Sequence, residues 1–465
     1  MKKIPITIWN YIASFFRTYK YSDFIDICNL RMVCKITSRI KIKHIPRLLT
    51  YRLTNETIKY FPDLISVNLS KTKVTIIPKS VKELELYKRT NSENIDLKYN
   101  TELRKLGASN TNIKVFPSSL IELHICYCKL PNLFNLNELK ILNCSYTEID
   151  HIPPNIEKLT IIGCKKILNS EISKLKKLKI LICNYSTIQQ IPENLEKLCM
   201  QYCTNIKGDQ LCKLKNIKSL DCSYTNISFL SSLITLTDLS VIGCKNIVYN
   251  EIKCLNNLLI LNAEDCSITK FPRRLLYLNI AGRKDLQNHC LHNLLYLKIL
   301  NISNTNIKYI PTFIETLIIN GRFDLKNKHI INLYNLRFLD ASYTSITEFP
   351  RSLTHLYIRG RMDLDEDILI GMNNLIALEC KFTKISYFPI SLKKLNIFGC
   401  ITLKNDAISY LYNLRYLDAR LTNIDVFPEN LKYLNIKNRT SIDNSHIKHL
   451  KNLRKLKHRG SNIII

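Results

Sequence analysis

Hydroxyls and thiols recur along this 465-residue chain at a regular spacing. Thr72, Thr111, Thr147, Thr225, Thr305, Thr344, Thr383 and Thr422 stand in equivalent places, with Ser186, Cys266 and Ser461 filling the same slot in other copies of a phrase such as "LNCSYTEIDHIP" (142–153). A second series holds Cys128, Cys164, Cys203, Cys244 and Cys400, alternating with Arg89, Arg283, Arg322, Arg361 and Arg439. Such side chains serve as nucleophiles when a base lies within hydrogen-bond reach. The 10 histidines show no recurring pairing with a carboxylate or cysteine, and the chain carries no nucleophile elbow or phosphate loop. Zinc would need convergent thiolates, yet "CYC" at 126–128 sends its sulfurs to opposite strand faces and no C-x-x-C pair exists. The expectation is therefore no enzyme, no metal and no cofactor. A small hydroxyl has a structural use where a buried chain turns, because it bonds backbone groups otherwise left unpaired.

The elements that place these residues follow from the period. Aligned leucines fall at Leu136, Leu175, Leu214, Leu255, Leu294, Leu333, Met372 (in place of leucine), Leu411 and Leu450, a step of 39 residues stretched once to 41. The register continues upstream through Asn100 to Phe61, so repeats fill 61–465. Each period divides into two halves, both of the leucine-rich-repeat pattern, which means one short strand per turn of a solenoid. In "LKILNCS" the alternation sends Leu142 and Cys144 inward and Ile141, Asn143 and Ser145 outward. First halves end in proline-bearing stretches such as "ITEFPRS", which exclude a long helix. Second halves run into "NSEISKL", "NKHIINL" or "NDAISYL", whose leading residues read as helix caps before one or two turns. The fold class expected is α/β: a leucine-rich-repeat solenoid with short parallel strands on its concave face. About twenty half-repeats at ~4.8 Å per strand would span roughly 100 Å.

Hydrophobic residues make up 46%, enough to fill a narrow core, and 10 glycines leave no room for Gly-rich linkers. The 17 cysteines mostly recur at inward positions, which favours reduced thiols in an intracellular compartment, the cytoplasm or nucleus. The apolar stretch of "MKKIPITIWNYIASFFR" is broken by Pro5, Thr7 and Asn10 and lacks a cleavage pattern, so neither a signal peptide nor a membrane partner is expected. The formal charge of +30 is scattered over every unit, so a solvated lysine-rich surface is favoured over a nucleic-acid-binding solenoid. The densest basic run is "HIKHLKNLRKLKHRG" near the C-terminus.

Residues 1–45 lack the repeat, and 46–60 read as a connector or capping half-repeat. Ile4, Ile8, Ile12 and Phe16 fall at helical spacing, followed by a second apolar helix through Phe24, Leu30 and Val33. A segment this small and apolar cannot bury its own surface and wants a partner. "IPITIWNYIASFF…DFIDICNLRMVCK" resembles the F-box motif, matching it in order at Ile4, Pro5, Trp9, Ile12, Phe16, Asp23, Phe24, Leu30, Arg31, Val33, Cys34 and Lys35. It departs at Thr7, in a longer "RTYKYS", and in having no tryptophan after Cys34-Lys35. With the repeats, the chain resembles F-box leucine-rich-repeat proteins of the kind found in amoeba-infecting giant viruses. That resemblance implies the substrate-recognition subunit of a cullin-RING ubiquitin ligase of the Skp-cullin-F-box type. Ile4, Pro5, Ile8, Trp9, Ile12, Phe16, Phe24, Leu30 and Val33 would dock a Skp-type adaptor, and the repeats would hold a client protein. A plain interaction scaffold is the alternative.

The outward strand positions suggest where a client binds. Early units carry Ile141, Ser145, Ile162, Ile180, Ser219 and Ser223 there. From Leu333 onward the positions become large or charged: Phe338, Asp340, His355, Tyr357, Arg359, Glu379, Lys381, Phe398, Tyr416, Asp418, Arg420, Tyr433 and Lys437. Exposed aromatics and arginines grouped on a rigid face have the composition of an interface hot spot.

Overall fold

A computed structural model of the chain describes Lys43 and residues 53–70, 72–88, 95–129 and 131–458. The adaptor residues expected at Ile4, Pro5, Ile8, Trp9, Ile12, Phe16, Phe24, Leu30 and Val33 lie outside the described residues, as do Arg89 and Ser461. Contacts divide the chain into two compact units, Met1–Thr235 and Leu236–Ile465.

In the first unit the strands run from β1 (Ser66–Asn68) to β9 (Ser219–Asp221), each three residues long and paired in parallel with its sequence neighbours. The second unit repeats this from β10 (Asp238–Ser240) to β21 (Lys455–Lys457). Both are leucine-rich-repeat solenoids. The central strand leucines Leu142, Leu181, Leu220, Leu300, Leu339 and Leu417 are all buried. Within each unit the register sets leucine beside leucine, as Leu142 beside Leu159 and Leu339 beside Leu356, so the inward residues of successive strands stack. Among the described residues no helix is long and apolar enough to cross a membrane.

The hydroxyl column is buried too. Thr305, Thr344, Thr383 and Thr422 donate to the carbonyls of Ile302, Ala341, Cys380 and Ala419 at 2.8–2.9 Å. Each supplies a donor to the carbonyl three residues back, at the point where the strand has ended. The cysteine column does the same across coils: Cys164, Cys203 and Cys400 donate to Cys144, Cys183 and Cys380 carbonyls at 3.0–3.1 Å.

Two sequence expectations are corrected. The leading asparagines of the helical turns do not cap them. The turn Asn169–Ser173 has no side-chain cap bond, and Asn169 Oδ1 instead accepts from the Gln189 amide of the next coil. Asn327 accepts from Thr347 and Glu348, and Asn405 from Asp425 and Val426, because the extended stretch of the following coil has amides with no strand beside them. Ser145 and Ser223 do not face solvent but are buried, each hydroxyl bonding the last strand side chain, Asn143 or Asp221. The alternation of the strand stops at its third residue, and the chain turns inward there.

That turn places Tyr127, Tyr146, Tyr185, Tyr202 and Tyr224 at φ of 56–59°, a left-handed conformation that bulky residues rarely adopt. Stacking compensates: Tyr185, Tyr202 and Tyr224 lie face to face with centroids 4.5–4.6 Å apart. Tyr146, stacked on Tyr127 at 4.8 Å, also covers Gly163, where any Cβ would collide with its ring, and Tyr343 covers Gly360 likewise.

Arginines at the second column are buried guanidinium clamps. Arg322 is 1% exposed and holds Asp324 with two bonds of 2.8 and 3.0 Å, Thr305 Oγ1 at 2.8 Å, and the carbonyls of Ile302 and Ile307. Arg283 and Arg361 are built alike on Asp285 and Asp363. The signal was present as R-x-D at 283–285, 322–324 and 361–363, and it is missing after the column's cysteines. Arg439 breaks it, having exposed Ser441 two residues on, and burial lowers its pKa. Ser441→Asp is expected to raise stability by about 1 kcal/mol, read as a higher urea midpoint.

Candidate interaction face

The large outward residues converge in the second unit on β15 (Phe338–Asp340), β16 (His355–Tyr357), β17 (Ala377–Glu379), β18 (Lys394–Asn396), β19 (Tyr416–Asp418) and β20 (Tyr433–Asn435). The register sets Phe338 beside His355 and Asp340 beside Tyr357. Farther along it sets Tyr416 beside Tyr433. Adjacent coils therefore bring side chains far apart in sequence into contact.

One cluster lies on β15 to β17. Phe338 stacks on His355 with centroids 6.2 Å apart and meets Tyr357 edge-on at 5.0 Å. Arg359 lies over the Tyr357 ring at 5.5 Å and pairs with Glu379 at 2.9 Å, while Lys381 reaches the same carboxylate at 2.6 Å. Burial lowers the His355 pKa, helped by the Lys394 charge. Burial, and then the Glu379 carboxylate, raises the Tyr357 pKa, so the phenol remains a neutral donor.

A second cluster spans β18 to β21. Arg420 lies 4.7 Å over Phe398, whose ring also meets Phe382 edge-on at 5.1 Å. Two bonds of 2.9 and 2.8 Å tie Arg420 to Asp418, which also accepts from Asn435 at 3.0 Å. Asp418, expected to present itself to a client, is buried at 3% exposure and instead holds Arg420 in place. Tyr416 and Tyr433 stack at 4.2 Å and 5°, and Lys455 and Lys457 cover Tyr433 at 5.9 and 5.8 Å. Burial, with the Tyr433 hydroxyl second, pushes the Tyr416 phenol up to about 12.

Phe338, Asp340, His355, Tyr357, Arg359, Glu379, Phe398, Tyr416, Arg420 and Tyr433 are all half-buried on this face. Outward-pattern reasoning missed Phe382, which sits in the turn after β17 at φ 54°, and the cations one residue ahead of several strands, such as Lys393 and Lys432. A repeat-by-repeat alignment of that leading position would have found them. The strand faces of the early units remain as expected at Ile141, Ile162, Ile180 and Ser219, all half-buried.

The architecture is that of a leucine-rich-repeat solenoid. No protein-family profile matches the chain, and no curated protein does. Among solved structures, the crystal structure of a TLR13–ssRNA13 complex is similar, with a TM-score of 0.60 at 19% identity, covering 88% of this chain and 73% of that one. The likeness is one of fold.

Proposed function

We propose that this chain is a non-catalytic recognition subunit: its repeats bind a client protein, and its first 45 residues dock a Skp-type adaptor of a cullin-RING ubiquitin ligase in the cytoplasm or nucleus. The observation carrying client binding is the ordered cluster of Phe338, His355, Tyr357 and Arg359 on adjacent strands. Aromatics and an arginine held by ring contacts and the Glu379 pair lose little freedom on binding, as interface anchors should. The adaptor half rests on the F-box resemblance of Ile4, Pro5, Trp9, Ile12 and the residues that follow. Ubiquitin transfer would belong to other subunits.

Two variants of the full chain test the halves separately. Ile12→Asp should abolish capture of a purified Skp-type adaptor by placing an unpaired charge in an apolar contact, while circular dichroism stays unchanged. Phe338→Ala with Tyr357→Ala should release client proteins recovered from cells and leave adaptor capture intact. Unchanged adaptor capture with Ile12→Asp would refute the ligase role, and unchanged client recovery would refute this face.

A further inference from the structure

The cations of the second unit are not spread evenly over its strand face. Count each strand with the residue before it and the two after it. For β10 to β13 the set holds one cation, Lys298, against Asp238 and Glu264. The next four strands balance Arg337, Arg359 and Lys381 against Glu315, Asp340 and Glu379. From β18 to β21 there are nine among the described residues: Lys393, Lys394, Arg415, Arg420, Lys432, Lys437, Arg454, Lys455 and Lys457, against Asp418 alone. Net charge therefore steps from −1 (1 − 2) through 0 (3 − 3) to +8 (9 − 1) along one face, contrary to the scatter read from the sequence. Asp418 is already taken by Arg420. Among the described residues Lys393, Lys432, Lys437, Arg454, Lys455 and Lys457 make no ion pair, although lysines on other coils, such as Lys140 and Lys298, pair with Glu157 and Glu315.

We infer that β18 to β21 bind an acidic extended segment of the client protein. This rests on the client-binding reading and names the chemistry of what is bound. Like charges crowded on a rigid face repel one another and are relieved by an anionic partner. Four strands at ~4.8 Å spacing span roughly 14 Å, which an extended peptide crosses in about five residues. Nucleic acid would offer the same charge, but a strand of bases needs open aromatic faces. Here the aromatic faces are engaged: Tyr416 and Tyr433 cover each other, Lys455 and Lys457 lie over Tyr433, and Arg420 over Phe398. Cations and phenol donors are what the face presents, and carboxylates suit both.

The test uses the full chain and three labelled probes: a peptide with a run of about five glutamates, its glutamine counterpart, and an oligothymidylate of matched charge. The glutamate peptide should bind at low salt, weaken as salt rises, and lose about tenfold in affinity with Lys432→Glu and Arg454→Glu. A control pair, Lys140→Glu with Lys298→Glu, makes the same charge change on other coils and should leave binding within about twofold, since rim charges act locally. Equal loss in both pairs, equal binding of the glutamine peptide, or tighter binding of the oligothymidylate would overturn the inference. If the peptide fails while Phe338→Ala with Tyr357→Ala still releases the client, client binding stands and only its acidic determinant is wrong.

Discussion

Arg322→Ala should destabilise its unit by about 3–5 kcal/mol, the range for removing one member of a buried charged network. Arg322 is among the largest fully buried side chains, and its loss strips its donor from the Ile307 carbonyl and one donor each from Thr305 Oγ1 and the Ile302 carbonyl, which keep their bond to each other. Each buried acceptor left unpaired costs about 1–3 kcal/mol, and the vacated volume adds a cavity term. Asp324, by contrast, is 40% exposed on its side chain and can return to water. Asp324→Asn should therefore cost far less than the arginine change. Bonds from the arginines also lower the Asp285, Asp324 and Asp363 pKa values, as the largest cause in each case. A carboxylate with a depressed folded pKa contributes stability that is present above its unfolded value, near ~3.9, and is lost as pH falls through the folded one. Urea midpoints should hold at neutral pH and fall in acid, and Arg322→Ala should flatten that fall. An Arg322→Ala protein as stable as the parent would refute the clamp.

Leu339→Ala should cost about 2–5 kcal/mol, as a core cavity does. Leu339 is buried between Leu317 and Leu356, its register partners on either side. In a solenoid each coil rests only on its neighbours, so the cost should be local. Amide exchange should quicken around β14 (Thr316–Ile318) to β16 and remain slow in the first unit. Uniform loss of protection along the whole chain would contradict nearest-neighbour packing.

Much of this was legible from residue types alone. The 39-residue step, the inward leucines and the hydroxyl column are repeated so often that each coil reports on every other. Their surroundings are the same in every copy, so one reading suffices. The outward aromatics from Phe338 to Tyr433 were legible for the complementary reason, since a strand's period of two assigns them a face without knowledge of any neighbour.

Contacts across coils were decided only by the tertiary structure. Ser145 and Ser223 share the alternation of outward residues but are turned inward by the backbone after the strand. Asn169, Asn327 and Asn405 have the composition of caps, yet unpaired amides about twenty residues downstream are better placed acceptors' partners than the helix itself. Asp418 reads as an exposed carboxylate until Arg420 and Asn435 close over it. The concentration of cations on β18 to β21 likewise depends on leading-position residues being stacked a strand apart. A sequence by itself determines which side of its own coil a residue takes. Which backbone, ring or charge lies a strand away depends on the register of the next coil, and hydrogen bonds and ion pairs are short-ranged enough to depend on it entirely.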